Sequence, residues 1–354
     1  STTLRSFDSF LGTSHGLAPA FLNLHSQPLL QFVQKIGLSR ETFETLIGQG
    51  NFIGSEMLHE TNMQDREFIK LMPATPPDMG QVILSGPHIN TGNPLSQQSL
   101  LQYRSKFSYE QINLVEIDDN FIPRTVYQPL KTSAEFDALL PRLNGIPYRN
   151  FYRVVTRRRI NPTNERCMFP SIIPKGVMHI HTIESIALAN PAHLTLLAGF
   201  CSSLLVDGIH RLMNSSDFLV SDFTKIPLGI VEKYRNSVSR RALALSGLTT
   251  FYNELWLNSL PIKNDADTLS TGFVLRGAGS EFQRSNAIRA PLEREQALIE
   301  IDALVALSFN LTEEELVQIY QVLFPVLLMY DRERGFNRRE RLVHAHRRFS
   351  ERGW

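Results

Sequence analysis

The spacing of apolar residues changes twice along the chain, and that change limits the fold more than any other feature. Near the start, Leu29, Phe32, Val33 and Ile36 recur at the 3,4 spacing of one helix face. Ser39 reads as the cap of a second helix through Phe43 and Leu46, closed by Gly48 and Gly50. In the middle third the apolar residues gather into short runs between polar loops. Val82-Ile83-Leu84, Ile112 to Ile117, Phe151 to Thr156, Phe169 to Ile173 and Val177 to Ile183 are the strand candidates. Gly86-Pro87 turns into the polar loop His88 to Pro94, Asp118-Asp119-Asn120 makes a turn, and Leu194 to Leu205 reads as a buried helix. Thr132-x-x-Glu135 is a capping box that opens a helix carrying Phe136, Leu139 and Leu140.

Helical spacing returns in the last third, with Leu245, Leu248, Tyr252 and Leu255, then with Leu298, Ile301, Leu304 and Val305. A second capping box, Thr312-x-x-Glu315, leads into Leu316, Ile319, Tyr320 and Leu323, and Pro325 ends or kinks that helix. The pattern predicts an α+β chain with three parts. A helical N-terminal or junction segment covers 1–80, ending near Pro73, Pro76 and Pro77; a mixed short-stranded α+β lobe covers 81–232; a helical region covers 233–354. The chain opens abruptly, with Phe7, Phe10 and Leu11 in a Ser/Thr-rich stretch, as if continuing from a longer protein.

A composition of 42% apolar and 20% charged residues is that of a globular protein with no need of disulfides or metal. Cys167 and Cys201 fit inert thiols in a reduced, cytoplasmic compartment. No apolar run approaches the roughly 18 residues of a membrane span, so no membrane partner is expected.

The net charge of +1 conceals a preference for arginine: of the 36 basic residues, 28 are Arg and 8 are Lys. Arginine offers a rigid fork of donors suited to phosphate or a guanine edge; a GC-rich genome produces the same bias. The basic residues also cluster. From Arg142 to Lys175 there are eight, against the single acid Glu165; from Arg332 to Arg352 there are eight, against three acids. In the first cluster aromatics alternate with arginines over Tyr148 to Arg159. In an extended strand Arg149, Arg153, Arg157 and Arg159 would share one face, with Arg158 beside them, and could track phosphates. The bland alternative is a solvated basic face paired with acids elsewhere. In the second cluster Arg338 and Arg339, with Arg341, Arg347, Arg348, His344 and His346, read as a phosphate clamp or as a solvated helix end.

Several catalytic patterns are missing. The one Pro-Pro, in Thr75-Pro76-Pro77-Asp78, lacks the flanking groups of an amino-methyltransferase loop. Gly277-Ala278-Gly279 lacks the rest of an adenosylmethionine-binding turn, no Walker loop occurs, and no lysine has an acid two residues before it. His179-x-His181 with Cys167 is a weak zinc pattern; the polar edge of a half-buried strand is the favoured reading, and a DNA contact stands between the two. Ser202, Ser203, Asp207 and His210 lack a nucleophile elbow. The reading is a chain with no catalytic centre and no cofactor of its own.

Five segments, in order, resemble the target-recognition part of single-chain, type IIG-like restriction–modification enzymes and related phage-defence adenine DNA methyltransferases. They are Gly86-Pro87-His88 with Gly92-Asn93-Pro94; Asp118 to Tyr127, containing Pro123-Arg124-Thr125; Asn164-Glu165-Arg166 with Ile172-Ile173-Pro174-Lys175-Gly176; Leu243 to Thr249 with Leu255-Trp256; and Glu300 to Leu307 with Leu311-Thr312 and Phe324-Pro325. The resemblance spans roughly 81–345. The chain departs from the family pattern at Ser246-Gly247, where the family has Asn-Cys, and at Lys175, where it has Pro. The resemblance implies a duplex-DNA partner and a methyltransferase domain, with or without a nuclease, elsewhere in the parent protein. That domain would hold S-adenosylmethionine. The matched segments add His88, Asn93, Arg124, Arg166 and Lys175 to the candidate DNA contacts. The rival reading is a protein-interaction scaffold in a defence complex, which calls for an exposed apolar patch on the 298–328 helices. A third, an enzyme of unfamiliar type, calls for a polar pocket with convergent titratable groups.

Overall fold

A computed structural model describes residues 27–39, 41–213, 215–259, 267–275 and 281–352. The opening stretch with Phe7, Phe10 and Leu11, and Gly277-Ala278-Gly279, lie outside the described residues.

The chain is α+β: short strands in small sheets dominate its first half, and helices its last third. In chain order the strands used below are β1 (Phe52–Ser55), β2 (Ile69–Ala74), β3 (Ile83–Leu84), β4 (Gln97–Ser99), β5 (Tyr109–Gln111), β6 (Thr125–Pro129), β7 (Arg153–Arg157), β8 (Ser171–Ile173), β9 (Met178–His179) and β10 (Ile183–Leu188). The longer helices are α1 (Gln27–Gly37), α2 (Pro191–Cys201), α3 (Leu204–Met213), α4 (Arg235–Ser246), α5 (Pro291–Ser308), α6 (Glu313–Leu323), α7 (Pro325–Glu333) and α8 (Arg338–Glu351).

The central sheet is antiparallel, in the order β1-β10-β7-β8. Both of its faces are covered, and the alternation of side chains divides them. Val154, Ile172, Ile186 and Leu188 join the helices in a core that runs from Leu29 to Phe349. On the other face Val155, Ile173 and Ile183 meet Val82, Leu84, Ile89 and Val177, around the parallel pair β3–β9. Strands β1 and β2 precede residue 81 yet pair with β10 and β6 beyond it, so the segment expected to be helical carries strands as well.

Both capping boxes form. Thr132 and Glu135 exchange bonds at the start of Ser133–Leu139, and Thr312 and Glu315 do so at the start of α6. Pro325 ends the α6 run and stands at the first position of α7, where its missing N–H costs nothing. The buried run from Leu194 to Leu205 is two helices, α2 and α3, bent by 65°. At the break the Ser202 and Ser203 hydroxyls donate to carbonyls of the preceding turn. The Asp302 carboxylate accepts the Leu204 N–H at 2.7 Å. No single helix among the described residues is long and apolar enough to cross a membrane.

Three local expectations change. Thr42, not Ser39, caps Phe43–Ile47; the Ser39 hydroxyl donates to Leu228 instead. Ile112 to Ile117 is a turn, because the Asn113 carboxamide accepts the Val115 N–H and replaces a ladder bond. The helical spacing through Leu245 and Leu255 is interrupted at Gly247, and Asn253–Asn258 is a separate helix.

Candidate nucleic-acid interface

A cleft of about 540 Å³ lies where the strand-rich half meets the last helices. One wall is the loop after the 3-10 turn Gly86–His88, with Asn90, Thr91 and Asn93. This loop turns at Gly92, where φ is +64°; an added Cβ there would also press on Leu245 at 3.1 Å. The Gly92 N–H donates to the Pro170 carbonyl, and the Thr91 hydroxyl to that of Met168. The end of β7 contributes Arg157, the turn before β8 contributes Thr163 to Arg166 and Phe169, and α5 contributes Arg294 and Glu295. Tyr330 of α7, Arg334 and Arg338 close the far side.

Five arginines therefore converge on one concavity, and they fall into two kinds. Arg166, Arg334 and Arg338 are matched by acids. Arg338 donates to Asp331 and Glu295, both at 2.6 Å. Arg334 meets the same two carboxylates at 2.7 and 3.1 Å. Arg166 donates to the Ser202 carbonyl and lies 3.6 Å from Asp302.

Arg157 and Arg294 have no carboxylate partner among the described residues. Arg157 donates from Nε to the Gly86 and Ile89 carbonyls, both at 2.9 Å, and stacks 4.2 Å from the centre of the Phe169 ring. Arg294 donates to the carbonyls of Leu245, Ile288 and Gly92 at 2.9, 2.6 and 2.6 Å. Carbonyl dipoles do not neutralise a cation, and burial lowers Arg157 to about 10 and Arg294 to about 9. Both stay charged at neutral pH, as partly desolvated cations whose missing counter-charge an anion would supply.

The other anticipated contacts are dispersed. The four-arginine face does not form. Arg149 sits in the 3-10 turn Tyr148–Asn150, and Arg159 lies beyond the end of β7. Arg153 and Arg157 do share a face of β7, but that face is covered by the β3–β9 layer, so Arg153 is wholly enclosed. It donates to the Val177 carbonyl and lies 5.2 Å from the Tyr148 ring centre. Burial lowers it to about 10. Arg149 is buried on Asp137 at 2.8 Å and on the Gly80 carbonyl. A groove cannot reach either residue on this surface.

Arg158, on the opposite side of the strand end, bridges Glu56 at 2.6 Å and Glu184 at 3.6 Å. Arg159 is widely exposed beside Asp217. Lys175 pairs with Glu254 at 2.6 Å, and Arg124 with Glu110. His88 is fully buried and serves the fold: Nε2 donates to the Arg124 carbonyl at 3.0 Å, and Nδ1 accepts from the Ser85 N–H at 3.1 Å. Asn93 half-faces the cleft while accepting the Leu95 N–H. Arg339 is exposed on α8, away from the cleft.

Of the anticipated set, Asn93, Arg157, Arg166 and Arg338 line the cleft together. Arg294, Arg334, Phe169 and Tyr330 were not anticipated. Arg294 carried one signal: a cation in the first turn of α5 opposes the helix dipole and calls for a reason.

The remaining constellations are absorbed by the fold. His179 Nε2 lies 2.6 Å from the Ser185 hydroxyl, while His181 stacks on His59 with ring centres 4.6 Å apart. Asp207 accepts the Cys167 and Met168 N–H groups and pairs with Arg211. No protein-family model and no curated protein matches the sequence.

Proposed function

We propose that this chain is a duplex-DNA recognition module of a DNA-modifying enzyme, and that it grips the sugar–phosphate backbone through the arginine-lined cleft. The observation that carries this reading is the pair Arg157 and Arg294, two cations in one concavity that meet carbonyls and no carboxylate among the described residues. Asn90 and Asn93 on the same wall supply neutral donors for phosphate oxygens, a common mode of backbone contact.

The family resemblance supports the same reading. Its first and third segments are far apart in sequence, yet Asn93 and Arg166 meet at this cleft, whose far side includes the first turns of α5 just ahead of the fifth segment. In the proposed assembly a methyltransferase domain of the parent protein, with its S-adenosylmethionine, acts on an adenine of the DNA held here. The scaffold alternative draws less support. On the described 298–328 helices Val322 is the single large apolar side chain with wide exposure, 45%.

The test is binding to mixed-sequence duplex DNA across a salt series, by the chain and by an Arg157→Gln/Arg294→Gln variant. Each phosphate neutralised contributes about −0.9 to the slope of log K against log salt, so the variant's slope should be shallower by about 1.8. For these two contacts alone, affinity should fall about tenfold between 50 and 200 mM salt. A variant with an unchanged slope and an intact circular dichroism spectrum would remove the cleft from the interface. No binding by the unaltered chain at low salt would overturn the whole reading.

A further inference from the structure

We propose that the tip of the β4–β5 hairpin is an apolar wedge that enters a base step of the bound duplex; the inference rests on the DNA-binding reading above. The tip, Leu100 to Ser108, reads Leu-Leu-Gln-Tyr-Arg-Ser-Lys-Phe-Ser and contains no acid. Phe107 is 80% exposed, the highest value for any large apolar side chain among the described residues, and Leu101 is 67% exposed.

A flexible loop would let such side chains fold back, but this loop is held open by its own bonds. The Ser108 hydroxyl accepts the Arg104 and Ser105 N–H groups at 3.0 and 3.1 Å. The Ser105 hydroxyl accepts the Phe107 N–H at 3.3 Å. Tyr103 turns inward to pack edge-on against Tyr109, while the base of the hairpin is tied by Gln98 and Arg124 to Glu110. The chain thus uses its polar groups to present an aromatic and an aliphatic side chain to the outside.

The charges beside the tip indicate what it meets. Lys106 lies 5.2 Å from the Phe107 ring centre, and among the described residues the Arg104 guanidinium meets only the neutral Gln102 carboxamide, at 3.5 Å. Apolar side chains flanked by uncompensated cations fit the stacked interior and the phosphates of a duplex. Proteins that kink DNA insert Phe or Leu between base pairs in this way. The hairpin is continuous with the cleft wall. Ser96, just before β4, donates to the His88 carbonyl at 2.9 Å, and the His88 ring meets Tyr109 edge-on. An anionic lipid surface has related chemistry, but it gives no role to the adjoining cleft.

The test uses mixed-sequence duplexes carrying 2-aminopurine at each position in turn, whose fluorescence rises when the base is unstacked. The full chain should raise that fluorescence on binding. A Leu101→Ala/Phe107→Ala variant should bind with an unchanged salt slope, lose the fluorescence rise, and bind on the order of tenfold more weakly through lost stacking. Because both side chains are exposed, its melting temperature should match that of the unaltered chain, and a Leu38→Ala variant, at an exposed leucine outside the hairpin, should keep the fluorescence rise. Tight binding by the unaltered chain without any rise would overturn the wedge and leave the cleft reading standing. Loss of affinity by the double variant for phosphatidylserine vesicles, with DNA binding and fluorescence unaffected, would overturn it in favour of a membrane contact. Absence of all duplex binding would remove both readings.

Discussion

Replacing Arg241 with Met should cost roughly 3–5 kcal/mol of stability at pH 7, the usual result of removing one side of a buried ion pair. Its guanidinium is wholly buried on α4. It donates to Glu300 of α5 at 3.0 and 2.7 Å, to Asp267 at 2.6 and 3.3 Å, and to the Ser237 carbonyl at 2.9 Å. Met preserves most of the volume but leaves two buried carboxylates facing it. Neither is fully abandoned: Asp267 keeps Arg352 at 2.8 Å, and Glu300 keeps Arg348 at 3.2 Å and the Ser270 N–H at 2.7 Å. Those residual partners place the expected loss within the range for a broken pair, not above it.

The pH dependence identifies the cause. Burial pushes the Asp267 carboxyl up, but the Arg241 guanidinium more than reverses this and holds it well below the usual carboxylate range. A depressed carboxyl stabilises the fold above its unfolded value, near 4, and that contribution is lost as pH falls toward the folded value. The gap between the chain and Arg241→Met should therefore be widest at pH 7 and narrow by pH 3. Urea unfolding at several pH values, with the slope m compared between variants, measures it. A loss below about 1 kcal/mol at pH 7, or a gap of equal size at both ends, would refute the argument.

Two other expectations follow from burial. Burial lifts Glu184 to about 7, against the pull of Arg158, and lifts Asp302 to about 6, against that of Arg166. A raised carboxyl stabilises most below its ordinary value and loses that contribution as pH climbs through the folded value, so the melting temperature should be lower at pH 8 than at pH 5. Glu184→Gln should flatten that decline, and a melting temperature that rises over this interval would contradict both assignments. Gly229→Ala should destabilise by about 1–3 kcal/mol through overpacking. A Cβ at Gly229 would stand 2.1 Å from the Ser308 hydroxyl and 2.5 Å from its carbonyl, so α5 must move; an unchanged thermal midpoint would show that it yields freely.

The sequence exposes those parts of the fold whose signals are local. The Thr132 and Thr312 boxes announce their helices because the capping partners sit three residues apart. The face of α1 is legible because Leu29, Phe32, Val33 and Ile36 need only a helix to align. Ile112 to Ile117 misleads for the same reason: its alternation is real, and Leu114 and Ile117 are buried, but Asn113 closes a turn that periodicity does not register. The site was harder to read. Whether an arginine meets an acid within the fold is decided by partners such as Asp137 for Arg149, or Glu295 for Arg338, and the latter lies 43 residues away. The basic blocks were visible as composition. The contrast between Arg157 and its enclosed neighbour Arg153 depends on the layer that covers their common face.

The central sheet also sets the order in which this molecule can be assembled on a ribosome. Phe52 of β1 pairs with Leu188 of β10, and the two are 188 − 52 = 136 residues apart. At about 5–20 residues per second, β1 waits roughly 7 to 27 seconds for its one strand neighbour among the described residues to emerge. During that interval Phe52 and Ile53 belong to a nascent chain that has no sheet to join. Closure of so long a loop comes late and is slow, so newly made chains depend on protection of that segment before β10 arrives.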